Sequence, residues 1–278
     1  MADTAFQTQY REEFISGFEQ GVTLLKASVT SEAVVKGNTA TFLVADSGDD
    51  TAVTRGANGL IPSSTDNLVQ ASATLAEWHN LRKKTGFNIF AGQGDQRKIM
   101  QQNTLKVMNR KIDQEIIDIL DTGTVQVSAS AATGDVALVM KALSKLGNAD
   151  VPIDEEENMF GVITPALWAY LSQTKEFSSG EYVDVKTFTG ANKAMWRWNG
   201  VNWIRSSRLT GKGTASAKCY IYHRAAVGHA VDTAGLAMPV GYDDEQDYSW
   251  ARCTAYMGSV KLQNDGIVQI LHDDSAYS

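Results

Sequence analysis

Cysteine is scarce. The 278 residues hold two, Cys219 and Cys253, far apart and both in expected strands. Two thiols cannot staple a chain of this length, and no CxxC spacing is present to suggest zinc. They read as reduced, partly buried thiols. Long apolar runs are missing as well. No stretch nears the ~18 residues that suggest a membrane span. The first twenty residues are polar and amphipathic, unlike a secretory signal. These absences describe a soluble protein made in a cytoplasm, with no membrane partner. Basic clusters are few: the net charge is −7, and the densest group, Arg82, Lys83 and Lys84, is short. Sequence-independent nucleic-acid binding needs clustered cations to displace counterions, and that footprint is absent.

Catalytic addresses are also wanting. The four histidines, His79, His223, His229 and His272, never stand at ligand spacing on one helix face. In Thr210-Gly211-Lys212-Gly213-Thr214 a glycine follows the lysine, against the phosphate-loop pattern, so the segment reads as a turn. Acidic runs at 154–157 and 243–247 read as solvated loops. No GxSxG or Cys-His signature occurs. Trp196, Trp198 and Trp203 suit a core or a subunit contact better than a carbohydrate platform. The expectation is no catalytic, cofactor or metal site.

Phe6, Tyr10, Phe14 and Phe18 recur every fourth residue, predicting a helix over 4–27. Either it docks on its own core or it is an arm that packs on a neighbour. Residues 33–45 and 67–78 are β-rich and flank a stretch loaded with Gly48, Asp49, Asp50, Gly56, Asn58, Gly59 and Pro62. An isolated two-stranded hairpin is marginal in water. This one is expected to gain its order from another chain. Asp95 then caps a helix to about Leu120, with a stripe of Leu105, Met108, Ile112, Ile116 and Ile119, and with Ile99 and Ile117 opposite. At 1.5 Å per residue the rod is about 35–40 Å long.

A mixed α/β region follows. A helix is expected over 135–146, a buried strand over 159–163, and a helix opened by Thr164-Pro165. Asn199-Gly200 marks a tight hairpin between 195–198 and 201–206. Strands are expected at 218–223, 226–231, 248–256, 259–262 and 267–271, the last three beside the long helix.

This order resembles the major capsid protein of tailed bacteriophages, the HK97 fold, an α+β architecture. The likeness covers nearly the whole chain. Residues 96–120 resemble the spine helix, and FGVITPALWAYLSQTKEF (160–177) the strand–helix unit of the axial domain. WRWNGVNWIRSSRL (196–209) resembles that domain's hairpin, and ARCTAYMGSVKLQNDGIVQI (251–270) the closing strands of the peripheral domain. The resemblance implies an N-terminal arm (1–32), an extended loop hairpin (33–79), a peripheral domain (80–123 and 241–278) and an axial domain (124–240). It implies a structural, non-enzymatic role: self-assembly into an icosahedral virion shell of hexamers and pentamers around double-stranded DNA, held without sequence-specific binding. Assembly would take place in the bacterial host cytoplasm.

Partners implied are a portal, a decoration protein and, because about thirty residues precede the hairpin, a separate scaffolding protein. The net acidity suggests a neutral or acidic inner face. Candidate subunit-interface residues are Asp46, Asp49, Asp50, Arg55, Asn58, Ile61, Phe6, Tyr10 and Phe14. The competing readings are a phage tail or decoration subunit, and a soluble hydrolase built on an acidic pair.

Overall fold

The computed structural model describes residues 19, 21–34, 36–46, 51–63, 66–92, 94–127, 133–178, 195–233 and 235–277. In chain order the first elements are β1 (Thr30–Val34), β2 (Thr39–Asp46), β3 (Asn67–Thr74), β4 (Ala76–Thr85), α1 (Gly86–Ala91) and α2 (Gln96–Leu120). Next come β5 (Val125–Gln126), α3 (Val136–Asn148), β6 (Met159–Ile163), α4 (Pro165–Gln173), α5 (Lys175–Ser178), β7 (Met195–Trp198) and β8 (Val201–Arg205). The chain closes with β9 (Ala217–His223), β10 (Val227–Asp232), β11 (Val240–Asp243), β12 (Tyr248–Lys261) and β13 (Ile267–His272). It divides into two compact units. The smaller holds 77–112 and 234–256 with the described residues up to Thr23, and the larger holds 24–76, 113–233 and the residues from Met257 on.

Helix α2 starts where Gly92 and Gly94 interrupt the chain and the Asp95 carboxylate accepts from the amides of Arg97 and Lys98, each at 3.1 Å. This cap satisfies two of the four amides that a helix start leaves unpaired. Its buried row is Met100, Thr104, Met108, Ile112, Ile116 and Leu120. Leu105 and Ile119, expected within the stripe, are half-buried, whereas Ile117 on the other face is fully buried. The helix is therefore packed on more than one side.

In the larger unit six strands run in the order β5-β13-β9-β6-β8-β7. Every residue of β6 is buried, as the continuous apolar run predicts for a central strand. Thr164 caps α4, its hydroxyl accepting from the Leu167 amide at 3.1 Å, with Pro165 at the first helical position. Asn199 (φ 50°) and Gly200 (φ 71°) turn β7 into β8 through the left-handed region. Trp196, Trp198 and Trp203 are core residues, and Trp203 lies over Gly161, where a Cβ would come within 2.6 Å of the indole.

The C-terminus of α2 meets β13 within this unit. The Gln269 amide donates to the carbonyls of Leu120, Asp121 and Gly123 at 3.3, 2.9 and 2.8 Å. Asp113, buried on α2, accepts from the backbone amides of Leu24 and Leu25 at 3.1 Å. Burial pushes its carboxyl upward, against the opposing pull of these two amides.

Three sequence expectations change. The strands expected over 248–256 and 259–262 are one strand, β12. Gly258 does not break it but leaves room for a neighbour: a Cβ there would stand 2.2 Å from the Thr74 carbonyl oxygen. The β-rich runs over 33–45 and 67–78 each divide, so the hairpin proper is β2–β3, paired from Thr39↔Thr74 to Asp46↔Asn67. The last expected strand beside the long helix, β13, also pairs with β9 and β5. The aromatic repeat at Phe6, Tyr10, Phe14 and Phe18 lies outside the described residues, and Lys26–Ser28 forms a short 3₁₀ turn.

Candidate assembly surfaces

Strand alternation gives the β2–β3 hairpin two faces. Ala40, Phe42 and Ala73 point one way and are buried, packed with Ala230, Val34, Leu75, Val260 and Leu262. Phe42 lies on Gly228, where a Cβ would come within 3.0 Å of the ring. The base of the hairpin is thus part of its own unit's core, which corrects the expectation that all its order comes from another chain. Farther out the burial stops. On the other face Leu43 and Leu68 are diagonal neighbours, 82% and 74% exposed.

At the tip, the Gly59 amide bonds the Gly56 carbonyl at 2.9 Å and the Gly56 amide bonds the Leu60 carbonyl at 3.0 Å. Arg55 donates to the Gly59 carbonyl at 2.8 Å, pinning its guanidinium within the turn. Asn58 is exposed in that turn, and Leu60 and Ile61 stand 72% and 65% exposed. The Asp46 carboxylate accepts from the Asn67 amide at 2.9 Å and closes the ladder. The tip therefore brings Arg55, Asn58 and Ile61 together, with Asp46 at the ladder's end. Asp49, Asp50, Phe6, Tyr10 and Phe14 lie outside the described residues.

Sequence reading missed Leu43, Leu60 and Leu68, which strand alternation in a hairpin with one buried face would have flagged. It also missed two features of the smaller unit. Phe87 and Phe90, at i and i+3 on α1, are 73% and 88% exposed. Segment 77–111 carries eight Lys and Arg against Glu77 and Asp95, a net +6 within an acidic chain. Its charges are spread over a strand and a helix, so no compact basic motif marks them.

The larger unit also buries a polar cluster. The His272 imidazole pairs with Asp274, and the Thr164 hydroxyl donates to the same carboxylate at 3.0 Å. Cys219 accepts from the Thr164 amide at 3.3 Å. All four side chains are shut off from solvent, and burial pushes the Cys219 thiol far above its usual range. A thiol held protonated and out of reach of substrate is a core residue rather than a nucleophile. Among the described residues no three His, Cys, Asp or Glu gather as a metal-binding group, and no helix is long and apolar enough to cross a membrane.

The phage capsid protein family model matches residues 2–274. The chain belongs to the phage capsid protein family. Solved structures agree on the fold. The capsid structure of Cyanophage P-SCSP1u superposes with a TM-score of 0.76 at 14% identity, covering 96% of this chain and 93% of that one. A Mycobacterium phage Che8 structure gives 0.72 at 14%, covering 97% and 98%. The capsid of a native GTA particle gives 0.73 at 14%, covering 96% and 95%. No curated protein matches. The capsid chain has the HK97-like fold and is a structural component of a virion shell.

Proposed function

We propose that this chain is the shell-forming subunit of a tailed, double-stranded DNA phage. Its copies close as hexamers and pentamers into an icosahedral capsid, and the outer half of the β2–β3 hairpin clasps a neighbouring subunit. The observation that carries this reading is the split in the hairpin: its base is buried in its own unit, while Leu43, Leu60, Ile61 and Leu68 have nothing to cover them. Exposing that much apolar surface on a narrow ribbon is unfavourable unless a partner removes it from water. The candidate residues Asp46, Asp49, Asp50, Arg55, Asn58 and Ile61 belong to this clasp, and Phe6, Tyr10 and Phe14 to an N-terminal arm.

In the same reading 1–32 is the arm, 33–79 the extended loop, 80–123 with 241–278 the peripheral domain, and 124–240 the axial domain. The shell encloses DNA without reading its sequence. It is built in the host cytoplasm with a scaffolding protein, a portal and a decoration protein as partners.

Two measurements test it. Electron microscopy of particles from cells expressing the chain with its partners should show closed shells. Tubes or rings would favour a tail subunit, and a stable monomer with hydrolytic turnover would remove the capsid reading. Deleting residues 46–65 should leave a folded subunit that forms no stable shells. Normal shells from that deletion would reduce the hairpin to an ornament.

A further inference from the structure

The buried cluster around Asp274 lies at the root of a short segment, Asp273–Tyr277, that leaves β13 and runs alongside α4. Asp273 bridges in parallel to Thr133, and its carboxylate accepts from the Ser275 amide at 2.8 Å. Ser275–Tyr277 then winds into one 3₁₀ turn, with the Tyr277 amide bonded to the Asp274 carbonyl at 3.1 Å. At the far end the Gln173 side chain bonds the Tyr277 hydroxyl, and the Tyr277 ring stands edge-on to Tyr170 at 4.8 Å. The segment thus holds α4 at both ends, through its cap Thr164 and its last residue Gln173.

Asp274 also reaches a third element. Its amide donates to the Thr214 carbonyl at 3.0 Å, and the Gly213 amide stands 3.5 Å from its carboxylate. Both belong to the turn 210–214, where Gly211 and Gly213 sit at φ 73° and 77° and Lys212 is exposed. One residue therefore joins β13, the start of α4 and a cationic turn.

The segment buries little else. Ser275, Ala276 and Tyr277 are exposed and Asp273 is half-buried, whereas Asp274 is 1% exposed. No apolar side chain of the segment is shut off from water. Its retention rests on polar bonds to one buried carboxylate. Segments with few buried apolar contacts open at a fraction of the global unfolding free energy. A buried carboxylate stays in place only while its partners satisfy it.

We infer that Asp273–Tyr277 is a strap that opens and closes as a unit, with Asp274 as its pin. Closed, it fixes the start of α4 and the 210–214 turn together. It also seals Cys219, because the Thr164 hydroxyl stands between the Asp274 carboxylate at 3.0 Å and the Cys219 Sγ at 4.0 Å. Open, it frees the turn and the helix start and admits solvent to the thiol, while β9 and β13 stay paired.

The test labels the full chain with a maleimide under native conditions and follows Cys219 and Cys253 separately by peptide mass. Cys253, buried on β12 in the smaller unit, is the internal control. Asp274→Asn removes the charge and keeps the shape. It should raise the Cys219 labelling rate about tenfold or more, the scale of a lost charged hydrogen bond, with Cys253 at its native rate. Hydrogen exchange should quicken at the Gly213 and Leu167 amides and stay native along the β9–β13 ladder. Tyr277→Ala spares the core and removes only the far end of the strap. It should raise Cys219 labelling about two- to tenfold, the scale of an aromatic pair. Equal acceleration at both cysteines would make Asp274 a support of the whole fold, and the inference falls. Acceleration in Asp274→Asn with a native rate in Tyr277→Ala would show a buried pin without a strap, which overturns it too. Native labelling of Cys219 in both variants would mean that the segment does not seal the cluster, and the inference falls as well.

Discussion

The two ends of one hairpin behave as if they came from different proteins. At the base, Ala40, Phe42 and Ala73 are packed into the larger unit. One pair outward on the same face, Val69 is 47% exposed, and on the opposite face Leu43 and Leu68 lie open to water. Local propensity does not distinguish them, since both ends alternate in the same ladder with unbroken register. What differs is the surface beneath. The base rests on β10 and β12, where Gly228 and Gly258 let aromatic ring and backbone approach closely. The outer part instead borders an open cleft, lined by Val44 and Val69 on the hairpin and by Val151, Pro152 and Leu262 across from them. The base is a folding element, and in the proposed function the tip is an assembly element.

Four variants would sharpen or break this contrast. The largest effect is expected at Phe42→Ala, which removes the ring that seals the base. It should cost about 3–5 kcal/mol of subunit stability, read from denaturant unfolding. A loss below 1 kcal/mol would mean that the base does not belong to the core.

The next is a pH effect beneath the base. His229 on β10 is buried with Nδ1 2.9 Å from the Ser259 hydroxyl. Burial, helped by the nearby Lys26 charge, holds its pKa down to about 4. The folded pKa lies below the unfolded one, so the stabilisation is full above about pH 6.5 and is lost as pH falls toward 4, up to about 3 kcal/mol. His229→Gln should flatten the fall in thermal midpoint between pH 7 and pH 4.5. An unchanged slope would assign acid lability to other groups.

Third, Gly258→Ala puts a methyl against the Thr74 carbonyl and should cost about 1–3 kcal/mol as local overpacking. Hydrogen exchange should localise the loosening to β3 and β12. The smallest effect belongs to the tip: Leu60→Ser with Ile61→Ser should move subunit stability by less than about 0.5 kcal/mol, as exposed sites do. The same pair should sharply reduce shell yield. A destabilised subunit would show that the tip packs on its own chain.

Much of this was legible in the residues. Asp95 as cap, Thr164-Pro165 as helix start and Asn199-Gly200 as a turn are local codes that need no tertiary context, and each sits where its chemistry puts it. The order of elements sufficed for the resemblance to the capsid fold. Less legible was anything decided by a distant neighbour. Gly258 looks like a strand end until Thr74 is seen against it. Phe42 looks like any alternating strand residue until Gly228 is seen beneath it. The candidate assembly surface was half legible. Asn58 stands out as turn chemistry, with Arg55 and Ile61 beside it, whereas no local pattern marks Phe87 and Phe90 as exposed.

The Gln269 amide, set against three carbonyls where α2 ends, has a mechanical consequence. Two amide hydrogens shared among three acceptors leave no single bond that can fail first. A load drawn along the last turn of the helix passes into β13, and from there into β9 through six paired positions. A shell under pressure from within needs subunits that transmit tension without creep, and this junction behaves as a weld where a loop would act as a hinge.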